Sequence, residues 1–192
     1  YQSVFYMQNE VIFRMLNNFA DCVKKARGGD ADAFAQLYSL VYKDMYRIAL
    51  FNLNNEHDAS DVVSDTVLDA FKSIKNLRDE NAFKSWIMKI LTAKINNKQR
   101  EYTEIRNDRE DLDDIIGTEK EKAEEMDFSS SELADCFGKL DKDERLVLSL
   151  GIVSGYRSDE IAAMTGMNSN TVRSKAARAK IKLKKLMSGG KL

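Results

Sequence analysis

The sequence predicts an all-α protein built from two small helical domains and a flexible acidic linker, and three observations carry that prediction. Its 192 residues include nine Gly and no Pro, and Ala, Leu, Lys and Glu, which give up little on entering a helix, recur throughout. Nowhere do β-branched and polar residues alternate for more than a few positions between turn residues, so strand signals are absent. Charge is laid out unevenly. The net charge of −1 conceals 12 acids against 4 bases over residues 101–127 and 12 bases against 5 acids over 139–192, an asymmetry that points to parts with different partners.

Several classes drop out. The longest apolar runs, such as Val4 to Met7, fall far short of the ~20 residues a membrane span requires, and no signal-peptide layout is present. A cytoplasmic protein is expected. Cys22 and Cys136 lie far apart without CxxC pairing, which supports neither a disulfide framework nor a thiolate metal site. With His57 as the only histidine, a His-ligated metal or a Ser/His/Asp triad has almost nothing to build on, and no cofactor is expected.

The elements follow in order. In an N-terminal extension, residues 1–29, Val11, Ile12, Met15, Leu16 and Phe19 fall on one helical face. Arg27-Gly28-Gly29-Asp30 breaks that helix, and Asp30 is placed to cap the next. Phe34, Leu37, Tyr38, Val41, Tyr42, Met45, Ile48 and Ala49 step by three and four for five turns. A second helix from His57 or Asp58 carries Val62, Val63, Val67, Ala70, Phe71 and Ile74. After a polar turn at Asn76 to Glu80, a third starts near Asn81 with Phe83, Trp86, Ile87, Ile90, Leu91 and Ile95 inward. Its outer face is basic, with Lys84, Lys89, Lys94, Lys98 and Arg100. Residues 30–101 thus form one bundle. Residues 102–130 lose periodicity and cannot bury enough surface to order themselves, which predicts a coil linker. In the last domain, 131–188, Asp141 and Glu144 have the spacing of a capping box before a helix carrying Leu146, Val147, Leu150 and Val153, and Gly155 closes it.

Ser158 to Leu186 is the most informative stretch. Ser158 can cap a short helix with Ile161, Ala162 and Met164, Gly166 supplies a left-handed turn position, and a second helix from Ser169 turns Val172, Ala176, Ala179, Leu183 and Leu186 inward. This is a helix-turn-helix, whose second helix commonly enters the DNA major groove. Between 169 and 188 there are seven Lys or Arg and no acid. Ser169, Asn170, Arg173, Ser174 and Arg178 lie near the half where base edges are met, while the later lysines suit phosphates. A solvated face complementing the helix dipole is the plainer alternative.

These residues resemble the bacterial RNA polymerase sigma factors of the extracytoplasmic-function type over about 24–187. The resemblance rests on Leu140, Asp141, Arg145, Val147, Leu150 and Gly155, on Glu160-Ile161-Ala162, and on Thr171-Val172-Arg173-Ser174-Lys175 with Arg178-Ala179. In the first domain it rests on Phe34, Leu37-Tyr38, Tyr42, Ile48-Ala49, Asp58-Ala59, Asp61-Val62-Val63, Phe83, Trp86-Ile87 and Ile90. It implies sigma domain 2 followed by sigma domain 4, a non-enzymatic factor that binds core RNA polymerase and promoter DNA, and an anti-sigma factor as a controlling partner. It implies that Asp58, Asp61, Val62 and Asp65 meet the polymerase clamp, although acids at a helix start also simply favour the dipole. It further implies that Lys84, Ser85, Trp86, Lys89, Asn96, Asn97 and Arg100 hold the melted −10 strand, and that Ser169, Asn170, Thr171, Arg173, Ser174, Lys175 and Arg178 read the −35 duplex. Phe83 and Trp86 fit core packing better than stacking on bases. Three positions depart from the family pattern: Ala93 stands where many relatives carry an Asn used on the −10 strand, Ser64 replaces a usual Gln, and Gly151 a usual Arg.

Two modules on a flexible tether, each with its own core, are expected, and a single continuous core fused across both would overturn the proposal. Its rivals are a helix-turn-helix regulator acting without polymerase and a carboxylate-bridged metalloenzyme, which one His makes improbable to build.

Overall fold

The computed structural model describes residues 19–110, 133 and 135–188. Helix α1 occupies residues 19–27; Val11, Ile12, Met15 and Leu16 of the expected N-terminal helix, and 111–130 of the expected linker, lie outside the described residues. Helix α2, Ala31–Leu53, begins where Asp30 accepts the Ala33 N–H at 3.0 Å and ends at Asn54, whose φ of 52° lies in the left-handed region that Asn tolerates. Helix α3, Glu56–Ser73, is capped by Asn55, which accepts from the Asp58 N–H at 2.9 Å. Two short 3-10 turns, Ile74–Asn76 and Glu80–Ala82, lead into α4, Phe83–Glu110.

Helix α4 corrects the expected linker boundary, because residues 102–110 are helical rather than coil. Tyr102 explains part of this: its hydroxyl donates to the Asp58 carboxylate of α3, giving the exposed extension a tertiary anchor. A brief helical turn at 135–138 (α5) precedes α6, Lys142–Val153, α7, Ser158–Thr165, and α8, Ser169–Met187. Gly166 between α7 and α8 has φ +74°, which a β-carbon would strain. Among the described residues no helix is long and apolar enough to cross a membrane.

Leu37, Met45 and Ile48 of α2, Ala59 and Ala70 of α3, and Phe83, Ile87, Leu91 and Ile95 of α4 are fully buried in one apolar cluster. The expectation of separate cores is overturned: the same apolar cluster runs on through Leu146, Val147 and Leu150 of α6, Ile161 and Met164 of α7, and Val172 of α8. Helix α2 lies antiparallel to α6, with Asn52 opposite Ser149 (Nδ2 to Oγ, 2.9 Å) and Asp44 opposite Ser154 (3.2 Å). A second cluster straddles the seam, where the rings of Phe51 on α2 and Phe137 on α5 stack with centroids 4.4 Å apart. The physical reason lies in α2. Its last turn buries Phe51, Asn52 and Leu53 in succession, with Phe137 of α5 covering Phe51 and Ser149 of α6 meeting the Asn52 amide.

Candidate nucleic-acid interface

The helix-turn-helix is fixed from both ends. The Glu160 carboxylate accepts the Arg157 N–H at 2.7 Å at the start of α7, and Asn168 accepts the Asn170 N–H at 2.9 Å at the start of α8. Val172 and Ala179 are fully buried beneath α8, and Leu183 nearly so. Asn170, Thr171, Arg173, Ser174 and Arg178 are exposed on its outer side. Arg173 Nη1 donates to Asn170 Oδ1 at 3.2 Å, and the Ser174 hydroxyl donates to the Asn170 carbonyl at 3.0 Å. These residues therefore form one exposed polar surface over the first turns of α8.

Two of the expected −35 residues sit differently. The Ser169 hydroxyl is buried without a hydrogen-bond partner, so it does not face outward. Lys175 lies 3.0 Å from Asp143 and 3.9 Å from Asp141, on the first turn of α6. Next along the same side, Arg178 Nε is 3.5 Å from Glu144 Oε1, and Lys182 Nζ donates to Glu144 Oε2 at 2.7 Å. The expected reciprocal capping box is thus replaced. Asp141 caps α6 through the Asp143 N–H, while Glu144 turns to α8. These pairs were not anticipated from the sequence, although Lys175, Arg178 and Lys182, spaced by three and four, carried the signal of a single stripe.

On α4, Lys84, Lys89, Asn97 and Arg100 are exposed, and Ser85, Trp86 and Asn96 half-buried. Lys84 Nζ stands 6.0 Å over the Phe19 ring, and Trp86 leans on the fully buried Phe83 with centroids 6.1 Å apart. Helix α7 covers part of this helix, since the Thr92 hydroxyl donates to the Met164 carbonyl at 3.4 Å. Lys94 and Lys98, read as members of a basic track, are instead paired with α3. Lys94 lies 2.6 Å from Asp69 and Lys98 3.0 Å from Asp58, and these carboxylates hold both ammonium groups above their ordinary value. Burial opposes the ionisation of Asp58, but the Tyr102 hydroxyl and Lys98 outweigh it and keep its carboxyl below the ordinary value. Burial, then Asp58, pushes the Tyr102 phenol well up.

The acidic ridge of α3 is divided by the same contacts. Asp58 is committed to α4, and Val62 belongs to the core at 6% exposure. Asp61 and Asp65 remain exposed, lining an open groove of about 400 Å³ between α3 and α4. His57 Nδ1 lies 3.1 Å from Asp61 Oδ2.

The fold and the exposed outer side of α8 define a protein of the helix-turn-helix class, and comparison with known proteins places it. Residues 16–189 match the family model described as ECF sigma factor, and the chain belongs to that family. It is a sigma factor, directing promoter-specific initiation by core RNA polymerase. It is 28% identical over 137 residues to the RNA polymerase sigma factor SigV of Bacillus subtilis, covering 71% of this chain and 80% of that protein. Its fold is similar to that of CnrH solved in complex with the cytosolic domain of CnrY, with TM-score 0.64, 24% identity, and coverage of 91% and 99%. It is also similar to RpoE of Bartonella quintana solved in complex with the anti-sigma factor NepR, with TM-score 0.66, 22% identity, and coverage of 81% and 96%.

Proposed function

We propose a division of labour between the two halves. Helix α8 reads the −35 duplex through Asn170, Thr171, Arg173, Ser174 and Arg178, with Lys175 beside them. Helix α4 and the loop before it hold the melted −10 strand through Lys84, Ser85, Trp86, Lys89, Asn96, Asn97 and Arg100, and Ala93 gives this strand contact a preference unlike that of relatives with Asn there. Asp61 and Asp65 meet basic groups of the polymerase clamp. The chain carries out no covalent chemistry of its own and works in the cytoplasm with polymerase. An anti-sigma partner controls it, a reading supported by the CnrH–CnrY and RpoE–NepR assemblies.

The single observation that carries this reading is the helix-turn-helix itself, whose second helix keeps Asn170, Arg173, Ser174 and Arg178 exposed along its outer side. The −35 and −10 elements lie roughly 85 Å apart at 3.4 Å per base pair. Halves that share a core cannot span that distance, so the packed arrangement is a resting form that parts along the α2–α6 seam when polymerase and promoter are engaged. Run-off transcription from a genomic library with core polymerase tests the whole: defined start sites with shared upstream elements are expected. A chain that binds DNA but not core polymerase would be a stand-alone regulator instead.

A further inference from the structure

We infer that Glu144 is a positioning residue for sequence reading: through one carboxylate oxygen it orients the Arg178 guanidinium that α8 presents to DNA. The inference rests on the reading of α8 as the −35 helix. Glu144 sits in the first turn of α6 and is 4% exposed, although it is a charged residue, and such burial persists only where counter-charges meet it. Both counter-charges come from α8, four residues apart, and each takes its own oxygen. Oε2 accepts from Lys182 Nζ at 2.7 Å, and Oε1 faces Arg178 Nε at 3.5 Å. Each oxygen of the buried carboxylate thus faces its own cation, Lys182 on one side and Arg178 on the other.

The geometry at Arg178 separates positioning from masking. Its side chain remains 61% exposed, and the contact is made through Nε. At 3.5 Å this is an ion-pair approach and not a hydrogen bond, and among the described residues the two terminal nitrogens take no acceptor, so they keep the parallel N–H pair that matches guanine O6 and N7. Lys175 stands in contrast. It is 19% exposed, with Asp143 and Asp141 on its single ammonium group, and α6 neutralises it outright. Along one side of α8, then, the acidic first turn of α6 treats two cations differently: it withdraws Lys175 and braces Arg178. A long arginine loses rotamer entropy when it docks, and a brace that fixes one end of the guanidinium beforehand reduces that loss for the one base it meets.

The test uses full-length chain assembled with core polymerase, on a pool of duplexes randomised upstream of the start site, bound fractions being sequenced. Arg178→Ala is expected to flatten the preference at one position by about tenfold or more. Glu144→Gln is expected to flatten the same position by about threefold or more, to leave the others unchanged, and to add nothing in the Arg178→Ala background. It is also expected to shift the Arg178 Nε–H resonance in the free chain. Lys182→Ala keeps the carboxylate and is expected to lower binding to all sequences alike while the preference stands. Full preference in Glu144→Gln at the position Arg178→Ala flattens, or loss of that preference in Lys182→Ala, would overturn the assignment to Glu144 alone. If Arg178→Ala flattens nothing, the reading of α8 fails and Glu144 has nothing to position.

Discussion

Arg145 on α6 donates through Nη1 to the carbonyl of Asn52 on α2 at 2.9 Å, so a cation from one half closes the end of a helix in the other. Its Nη2 donates to the Leu140 and Gly138 carbonyls at 3.0 and 3.3 Å, and Gln99 of α4 reaches the same Asn52 carbonyl at 3.1 Å. Helix α2 has no basic residue in its own last turn, where the helix dipole favours positive charge. The junction is polar and incompletely satisfied: Asn52 Oδ1 and Arg145 Nε are buried without partners. These polar contacts lie beside the apolar cluster that continues from α2 into α6, α7 and α8 and beside the stacked Phe51 and Phe137 rings, so the seam is part polar and part apolar. Halves that part along it expose Leu146, Val147 and Leu150, which costs free energy unless another surface covers them.

Arg145→Met should loosen that seam. It leaves the Asn52 carbonyl to Gln99 and removes the charge that α6 lends to α2, with an expected stability loss of about 1–3 kcal/mol in urea unfolding. Spin labels at the exposed positions Arg47 on α2 and Ile152 on α6 should report a broader distance distribution in the variant than in the parent chain. An unchanged distribution would mean that apolar contacts alone hold the seam.

Acid should weaken the α3–α4 pairing in a defined window. Asp58 and Asp69 have carboxyls below their ordinary value of 3.8 in the folded chain. For Asp58, burial acts the other way and is outweighed by Tyr102 and Lys98; for Asp69 the hydrogen bond from Lys94 leads. A carboxyl lowered by folding binds fewer protons folded than unfolded. Its contribution is therefore complete above its unfolded value and lost as pH falls through the folded one. The melting temperature is expected to be flat near neutrality and to drop below about pH 4. Asp58→Asn should lower stability at pH 7 by about 1 kcal/mol and shallow the acid limb, both read by calorimetry. An acid limb identical to the parent's would remove Asp58 from this account.

What the sequence made legible was local. The stripe from Phe34 to Ala49, the cap at Asp30, the turn at Gly166 and the inward face of α8 are written in steps of three and four residues and in residue chemistry, and each has its counterpart in α2, α7 and α8. Partner choice was not legible. Leu146, Val147 and Leu150 read as the interior of their own module because an apolar stripe does not say what covers it, and α2 covers them. Lys94 and Lys98 read as a DNA track because a lysine does not name its counter-ion; the acids of α3 take them. Ser169 read as a base contact from its place at the helix start, yet its hydroxyl faces inward.

The cations of α8 should separate in salt titrations. Lys180, Lys184 and Lys185 are exposed, and each contact with a phosphate releases about one counterion, giving a slope near 0.9 per contact. Lys184→Ala is expected to weaken duplex binding evenly across sequences and to reduce the slope of log K against log salt by about one. Lys175→Ala should change the slope far less, because Asp143 and Asp141 already neutralise that side chain. Equal effects of the two variants would show that α6 does not withdraw Lys175 when DNA is bound.

Phe83 and Trp86, neighbours at the start of α4, should part company when substituted. Phe83 is fully buried, edge-on to Phe19 with centroids 6.1 Å apart. Phe83→Ala is expected to cost about 3–5 kcal/mol of stability. Trp86 is half-buried, so one part of its ring supports Phe83 while the rest is open to solvent. Trp86→Leu keeps most of the apolar contact but removes the flat face. It is expected to cost less than about 1.5 kcal/mol of stability and to weaken capture of a single-stranded −10 oligonucleotide by polymerase carrying this factor by about 1–3 kcal/mol, the worth of one stacked base. Fluorescence anisotropy against the oligonucleotide, beside thermal unfolding of the free chain, distinguishes the two roles. If Trp86→Leu lost stability like Phe83→Ala and bound the oligonucleotide normally, the ring would belong wholly to the core, and the −10 strand would be held by the exposed Lys84, Lys89, Asn97 and Arg100 alone.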